Sequence, residues 1–168
     1  MKIIPTSLRL ATIFFAITVL FACKKKTDVP GNEITESSNL EIFTSWSLND
    51  NSSATVGADL DVVLVRGNIT SESQFAGLSL ADIIDFSDNS GDFETMNILS
   101  SLPDGDYSVI IDYYDIKKAG RYTIRFKGSA SGKIYTIADI AFTVAEDGSV
   151  KFPVKITKAG QKFTITKR

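Results

Sequence analysis

Histidine is absent from the chain, and cysteine occurs once, at Cys23. The first absence removes the commonest general base at neutral pH and the commonest zinc ligand together. The second leaves Cys23 without an intrachain partner, so no disulfide staples the fold and no thiolate cluster holds a metal. A serine nucleophile would lack its imidazole base. No Gly-x-Ser-x-Gly elbow and no phosphate-cradling Gly-Lys loop occurs. Heptads, long amphipathic helical patterns and repeats of roughly 20–50 residues are missing as well. Nor does any apolar run reach the ~20 residues that a bilayer-spanning helix needs. Few routes to catalysis remain.

What is present begins with the longest apolar run, Leu10 to Ala22, 13 residues without a charge. Lys2 and Arg9 precede it, no acidic residue occurs before Asp28, and Lys24-Lys25-Lys26 follow. That pattern describes an export signal, not a membrane span. Its end, Leu20-Phe21-Ala22-Cys23, resembles a bacterial lipobox. The resemblance implies cleavage before Cys23 and acylation of its thiol and new amino terminus. The alternatives are an uncleaved anchor, or ordinary signal-peptidase cleavage with Cys23 incidental. Two or more acyl chains, at ~0.8 kcal/mol per buried CH₂, hold a protein on a bilayer durably. Residues 1–22 are therefore expected to be a lipoprotein signal peptide. Cys23 is the expected lipid-attachment site, the bilayer the partner, and the outer membrane or cell surface the location.

Lys24 to Asn39 contains Pro30-Gly31, Ser37-Ser38, several charges and few apolar residues, which predicts a flexible tether over 23–39. The remainder, 40–168, is one domain by length. Charge is uneven along it. Lys24 to Asp112 holds 16 acidic and 4 basic residues, whereas Tyr113 to Arg168 holds 4 acidic and 12 basic. Either the halves interleave and neutralise each other, or the particle is dipolar. A net-acidic exported chain argues against nucleic acid as a partner.

Strand signals dominate 40–168. Leu40, Ile42, Trp46 and Leu48 share one parity, and Asp59 to Val65 is β-branched, alternating at its start, and reads as a more deeply buried strand. Gly67 to Asp92 is less regular; Ser79 with Asp82 suggests a capping box over Leu80, Ile83 and Ile84, or else a meandering loop. Phe93 to Leu99 regains strand character. Pro103-Asp104-Gly105 turns the chain into an expected hairpin. One arm carries Tyr107, Val109, Ile111 and Tyr113; the other carries Tyr122, Ile124 and Phe126 beyond a turn at Lys117 to Gly120. The second arm's other face is polar: Arg121, Thr123, Arg125 and Lys127. Ile134, Thr136, Ala138, Ile140, Phe142 and Val144 alternate in a further strand. Val150, Phe152, Val154 and Ile156 are expected to face inward, with Pro153 outward at an edge or bulge. Phe163 and Ile165 finish a last hairpin. Seven to nine short strands at this spacing predict an all-β antiparallel sandwich, immunoglobulin-like or jelly-roll-like, following an N-terminal signal helix.

Trp46, Ala58 to Leu64, Leu102-Pro103-Asp104-Gly105-Asp106-Tyr107 and Gly120-Arg121-Tyr122-Thr123-Ile124 come in an order that resembles the pre-peptidase C-terminal type of bacterial β-sandwich. It is similar also to small lipoproteins of Bacteroidetes-type bacteria. The resemblance, over roughly Leu40 to Phe126, implies an accessory module, some of which bind calcium.

Candidate chemistry is thin. Asp82, Asp85, Asp88, Asp92 and Glu94 crowd one stretch, and hard carboxylate oxygens suit Ca²⁺. Of these Asp85, Asp88 and Asp92 are the calcium candidates, with Asp59 and Asp61, at i and i+2 on one strand face, as a second set; solvated acidic loops are the plainer reading. No resident metal or other cofactor is expected. A carboxylate pair also admits glycoside hydrolysis, without specificity in so acidic a half. Among aromatics, Trp46 keeps phase with Leu40 and Ile42 and belongs in a core, whereas Tyr114, out of phase with Tyr113, is the expected exposed ring. The expectation is a lipid-anchored, non-catalytic binding or scaffolding module. Its rivals are a carbohydrate-binding accessory protein serving polysaccharide uptake and, more remotely, a small carboxylate-dependent hydrolase. Its partners beyond the bilayer would be a glycan or an envelope protein.

Overall fold

The computed structural model describes residues 31–89 and 91–168. Cys23, the export signal and the first part of the expected tether lie outside the described residues. Among the described residues ten strands form two antiparallel sheets, an all-β sandwich. They are β1 (Glu33–Thr35), β2 (Leu40–Leu48), β3 (Ala58–Arg66), β4 (Ile83–Ser87), β5 (Phe93–Ile98), β6 (Gly105–Ile116), β7 (Gly120–Gly128), β8 (Ile134–Phe142), β9 (Val150–Ala159) and β10 (Lys162–Lys167). The six-stranded sheet runs β1-β10-β9-β6-β3-β4 and the four-stranded one β5-β2-β7-β8.

Period-2 patterning explains most of this. Along β2, Leu40, Ile42, Thr44, Trp46 and Leu48 are buried while the residues between them are not. Leu60, Val62 and Leu64 of β3 and Tyr107, Val109 and Ile111 of β6 meet them from the other sheet in one continuous core. Each such fully buried side chain contributes roughly 1.5–3 kcal/mol. The Trp46 indole N–H donates to the Ala58 carbonyl at 3.2 Å, which ties the sheets together.

Val62 to Val65 are buried without alternation because both faces of β3 are covered. Outside the large sheet, Val63, Val65 and Ile110 form a second cluster with Phe75 and Leu78. Phe75 comes from helix α1 (Glu72–Ala76), whose N-cap, Ser71, accepts the Gln74 N–H. Of the two readings of Ser79 with Asp82 the connecting loop holds, and the helix of this stretch lies earlier, at α1. The Asp82 carboxylate does accept the Ser79 N–H at 3.0 Å, yet this closes a turn, and Ile83 and Ile84 enter β4.

Part of the expected tether is folded. Residues 33–35 form β1, which pairs with β10, and Ile34 is fully buried. Glu36 is buried too, its carboxylate accepting the backbone N–H groups of Ser38, Ala130 and Ser131 at 2.8, 3.1 and 2.8 Å. Three further expectations fail. β6 and β7 are not a hairpin: they lie in opposite sheets, joined by a turn that crosses the sandwich. In β8 the inward side chains are Tyr135 and Ile137, then Ile140 and Phe142, while Ile134, Thr136 and Ala138 face solvent. Asp139, at φ 57°, flips the parity, where the β7–β8 register shifts. Val144 is exposed, outside the strand. Finally, Val150 and Phe152 pack in the outer cluster, not the core, and Pro153 is buried in a strand with neighbours on both sides. Of the edge or bulge that Pro153 suggested, the bulge is present, opposite Val109–Ile111, so the missing N–H breaks no regular ladder.

Candidate functional site

The outer face of the four-stranded sheet is where aromatic, amide, hydroxyl and charged side chains converge. β5, β2 and β7 turn Glu94, Ile42 and Ile124 inward, so Phe93, Phe43 and Arg125 point out. Phe43 lies directly opposite Arg125 in the β2–β7 ladder. Its ring stacks on Phe93 at 5.5 Å between centroids with 22° between planes, and the Arg125 guanidinium stands 4.8 Å from its centroid. Such pairs contribute on the order of 0.5–1.5 kcal/mol each. Phe93 is nevertheless 46 % exposed, so its free face is open to a ligand.

Beside this stack lies a cavity of about 220 Å³ lined by Glu41, Phe43, Thr95, Asn97 and Arg125, with Ile42 and Met96 beneath. Lys127 holds the Glu41 carboxylate at 3.2 Å, Ser129 donates to it at 3.0 Å, and both keep its pKa below the usual range. Arg125 makes no ion pair among the described residues. A second cavity, of about 280 Å³, is lined by Tyr113, Tyr122, Glu146, Lys151 and Arg168 among others. Its polar groups are already matched: Lys151 pairs with Glu146 at 3.0 Å, and the Arg168 guanidinium donates to the Ile69 carbonyl and to Asn68. Burial raises the Tyr113 hydroxyl to about 12. Among the described residues neither guanidinium has an ion pair, but Arg168 is held by two oxygen acceptors whereas Arg125 contacts only the Phe43 ring.

The acidic residues singled out in the sequence serve other ends. Asp85 accepts the Phe86 N–H at 3.0 Å and the Asn97 N–H at 3.3 Å, the latter from the outer edge of β5. Asp92 offers its carbonyl to the Trp46 N–H at 3.1 Å. Glu94, 1 % exposed, points into the core opposite Thr44. Ser87 and Asn89 donate to its Oε2, while its Oε1 and the Thr44 hydroxyl have no partner among the described residues. Asp59 and Asp61 do share the outer face of β3, facing Asp115 and Asp112 across the β3–β6 ladder. Desolvation, then the neighbouring carboxylates, raise Asp61 to about 6 and push Asp59 up as well. Asp88 adds to both, but no three carboxylates among the described residues close into a metal cage. The calcium candidates Asp85, Asp88 and Asp92 are thus spread over an edge cap, a connection and a carbonyl contact. Neither cavity is lined by Asp59 or Asp61.

Trp46 is buried and Tyr114 is 67 % exposed, as their phases required. The stack of Phe43 and Phe93 was not singled out, though Phe43 falls out of phase with Ile42 and Leu40. The Arg121–Arg125–Lys127 stripe was legible as the polar face of β7. Among the described residues no helix is long and apolar enough to cross a membrane. No protein-family model matches the chain, and no curated protein matches it in sequence.

Proposed function

We propose that the chain is a lipid-anchored, extracytoplasmic binding module with no catalytic role of its own, and that it binds carbohydrate on the outer face of its small sheet. The lipobox-like Leu20-Phe21-Ala22-Cys23 supports the anchor. The observation that carries the binding reading is the half-exposed Phe93–Phe43 stack beside a polar cavity with an unpaired guanidinium. Sugar rings present C–H faces to aromatic planes and hydroxyls to amide, hydroxyl and guanidinium groups, so both halves of the site have a use. A rigid sheet holds these groups at fixed spacing, which lowers the ordering cost of binding.

A glycan array probed with the wild-type chain and with Phe43→Ala/Phe93→Ala tests this. Specific signals that vanish in the double variant, while its β-type circular dichroism persists, are expected. Signals that survive the change, or that depend on Tyr114 alone, would move the site elsewhere.

A further inference from the structure

From the same face we infer the class of sugar: a saccharide bearing a carboxylate, of the uronate type, with its acid group on Arg125. This rests on the binding face proposed above and deepens it. Three observations carry it. The first is charge. Of the cations on this face, Lys127 is taken by Glu41, and Arg121 donates to the Asp139 carbonyl at 3.1 Å. Arg125 makes its contact with the Phe43 ring and no ion pair among the described residues. With its carbon 4.8 Å from the ring centroid and no ion pair among the described residues, this guanidinium has N–H groups available for the two oxygens of a carboxylate, a bidentate geometry that a neutral hydroxyl cannot match.

The second is size. The cavity, at about 220 Å³, is smaller than the ~300–1,000 Å³ of sites for drug-sized ligands, so it takes one compact polar group and leaves the rest of a chain on the surface. The third is the surroundings. Thr95 and Asn97, which share the cavity wall, supply a hydroxyl and a side-chain amide, partners for sugar hydroxyls. Phe93 extends the platform beyond the cavity, where an adjoining sugar ring would stack. An acidic peptide satisfies the first observation but leaves the flat ring pair unused, so the saccharide is the occupant the face fits best. Glu41, paired with Lys127 and hydrogen-bonded by Ser129, does not oppose the incoming charge at full strength.

Calorimetric titration of the full, detergent-solubilised chain with oligogalacturonate, with its methyl ester and with short poly-L-glutamate tests this. Oligogalacturonate is expected to bind, the ester and the peptide to bind about tenfold or more weakly, and Arg125→Gln to remove the preference for the acid. Phe93→Ala should weaken acid and ester alike, and Arg125→Lys should recover only part of the preference. Equal binding of acid and ester that still requires Phe93 would overturn the uronate assignment and leave the sugar-binding face standing. Binding of poly-L-glutamate as tight as that of the saccharide would overturn it in favour of an acidic peptide. No binding of either saccharide would remove the assignment and the face together.

Discussion

Gly128 makes room for Glu36. A Cβ on Gly128 would fall on the Glu36 carboxylate and on the Ser131 hydroxyl, so the bare backbone there is what lets a charged group enter from β1. Three backbone N–H groups then hold the carboxylate, and they lower its pKa to about 2 despite burial. The folded pKa lies below the unfolded 4.5, so this stabilisation is complete above about 4.5 and is lost as pH falls towards 2. A shift of that size corresponds to about 3 kcal/mol. Glu36→Gln should lower the urea midpoint at pH 7 and flatten the acid limb of the stability profile. Gly128→Ala should destabilise comparably, through the displaced carboxylate.

Asp61 acts with the opposite sign. Its folded pKa, about 6, lies above the unfolded 3.8, so it favours folding below about pH 4, and that contribution is lost as pH rises through 6. After allowance for solvent screening of a partly exposed group, about 1–2 kcal/mol is at stake. Asp61→Asn should therefore stabilise the protein at pH 7 and have little effect at pH 4. Taken together these two groups balance at about pH 4, where the gain from Glu36 is almost complete and the loss from Asp61 begins. Urea midpoints measured from pH 3 to 8 check both signs; an Asp61→Asn gain that is the same at every pH would refute the linkage.

Alternation made most strands legible, because Leu40, Ile42, Trp46 and Leu48 bury one face whatever the strand pairs with. It does not reveal neighbours. Tyr113 and Tyr122 meet edge-on at 6.2 Å in the core, an arrangement that a hairpin and two facing sheets satisfy equally by parity. β1 was invisible because a three-residue strand with only Ile34 inward has no period to detect. β8 misled because a single left-handed residue, Asp139, reverses which side chains face in. The site was half legible: the cations of β7 were plain, but Glu94 takes the inward phase of β5, so Phe93 lands outside where an aromatic was not expected.

Cys23→Ser should abolish incorporation of a fatty-acid analogue and release the protein from the membrane fraction. On the proposed anchor, two acyl chains would account for durable attachment, whereas the three lysines at 24–26 would add only about 1 kcal/mol each near an anionic surface. Equal labelling of wild type and variant would remove the lipid anchor from the proposal.

The start of the folded unit offers a sharper comparison. A chain beginning at Leu40 keeps every strand visible in the sequence and loses β1 with Glu36. Ile34, fully buried, contributes roughly 2 kcal/mol. The Glu36 carboxylate adds about 3 kcal/mol at neutral pH. Loss of β1 also uncovers the edge of β10, whose free N–H and C=O groups then invite pairing with other chains. Together this is about 5 kcal/mol, against a total stability of roughly 5–15 kcal/mol for a domain. A chain beginning at Gly31 should unfold in urea in one cooperative transition. The chain beginning at Leu40 should show a strongly lowered midpoint, or no transition, and a tendency to associate. Identical midpoints would mean that β1 is an ornament on the sandwich and that the fold begins at β2.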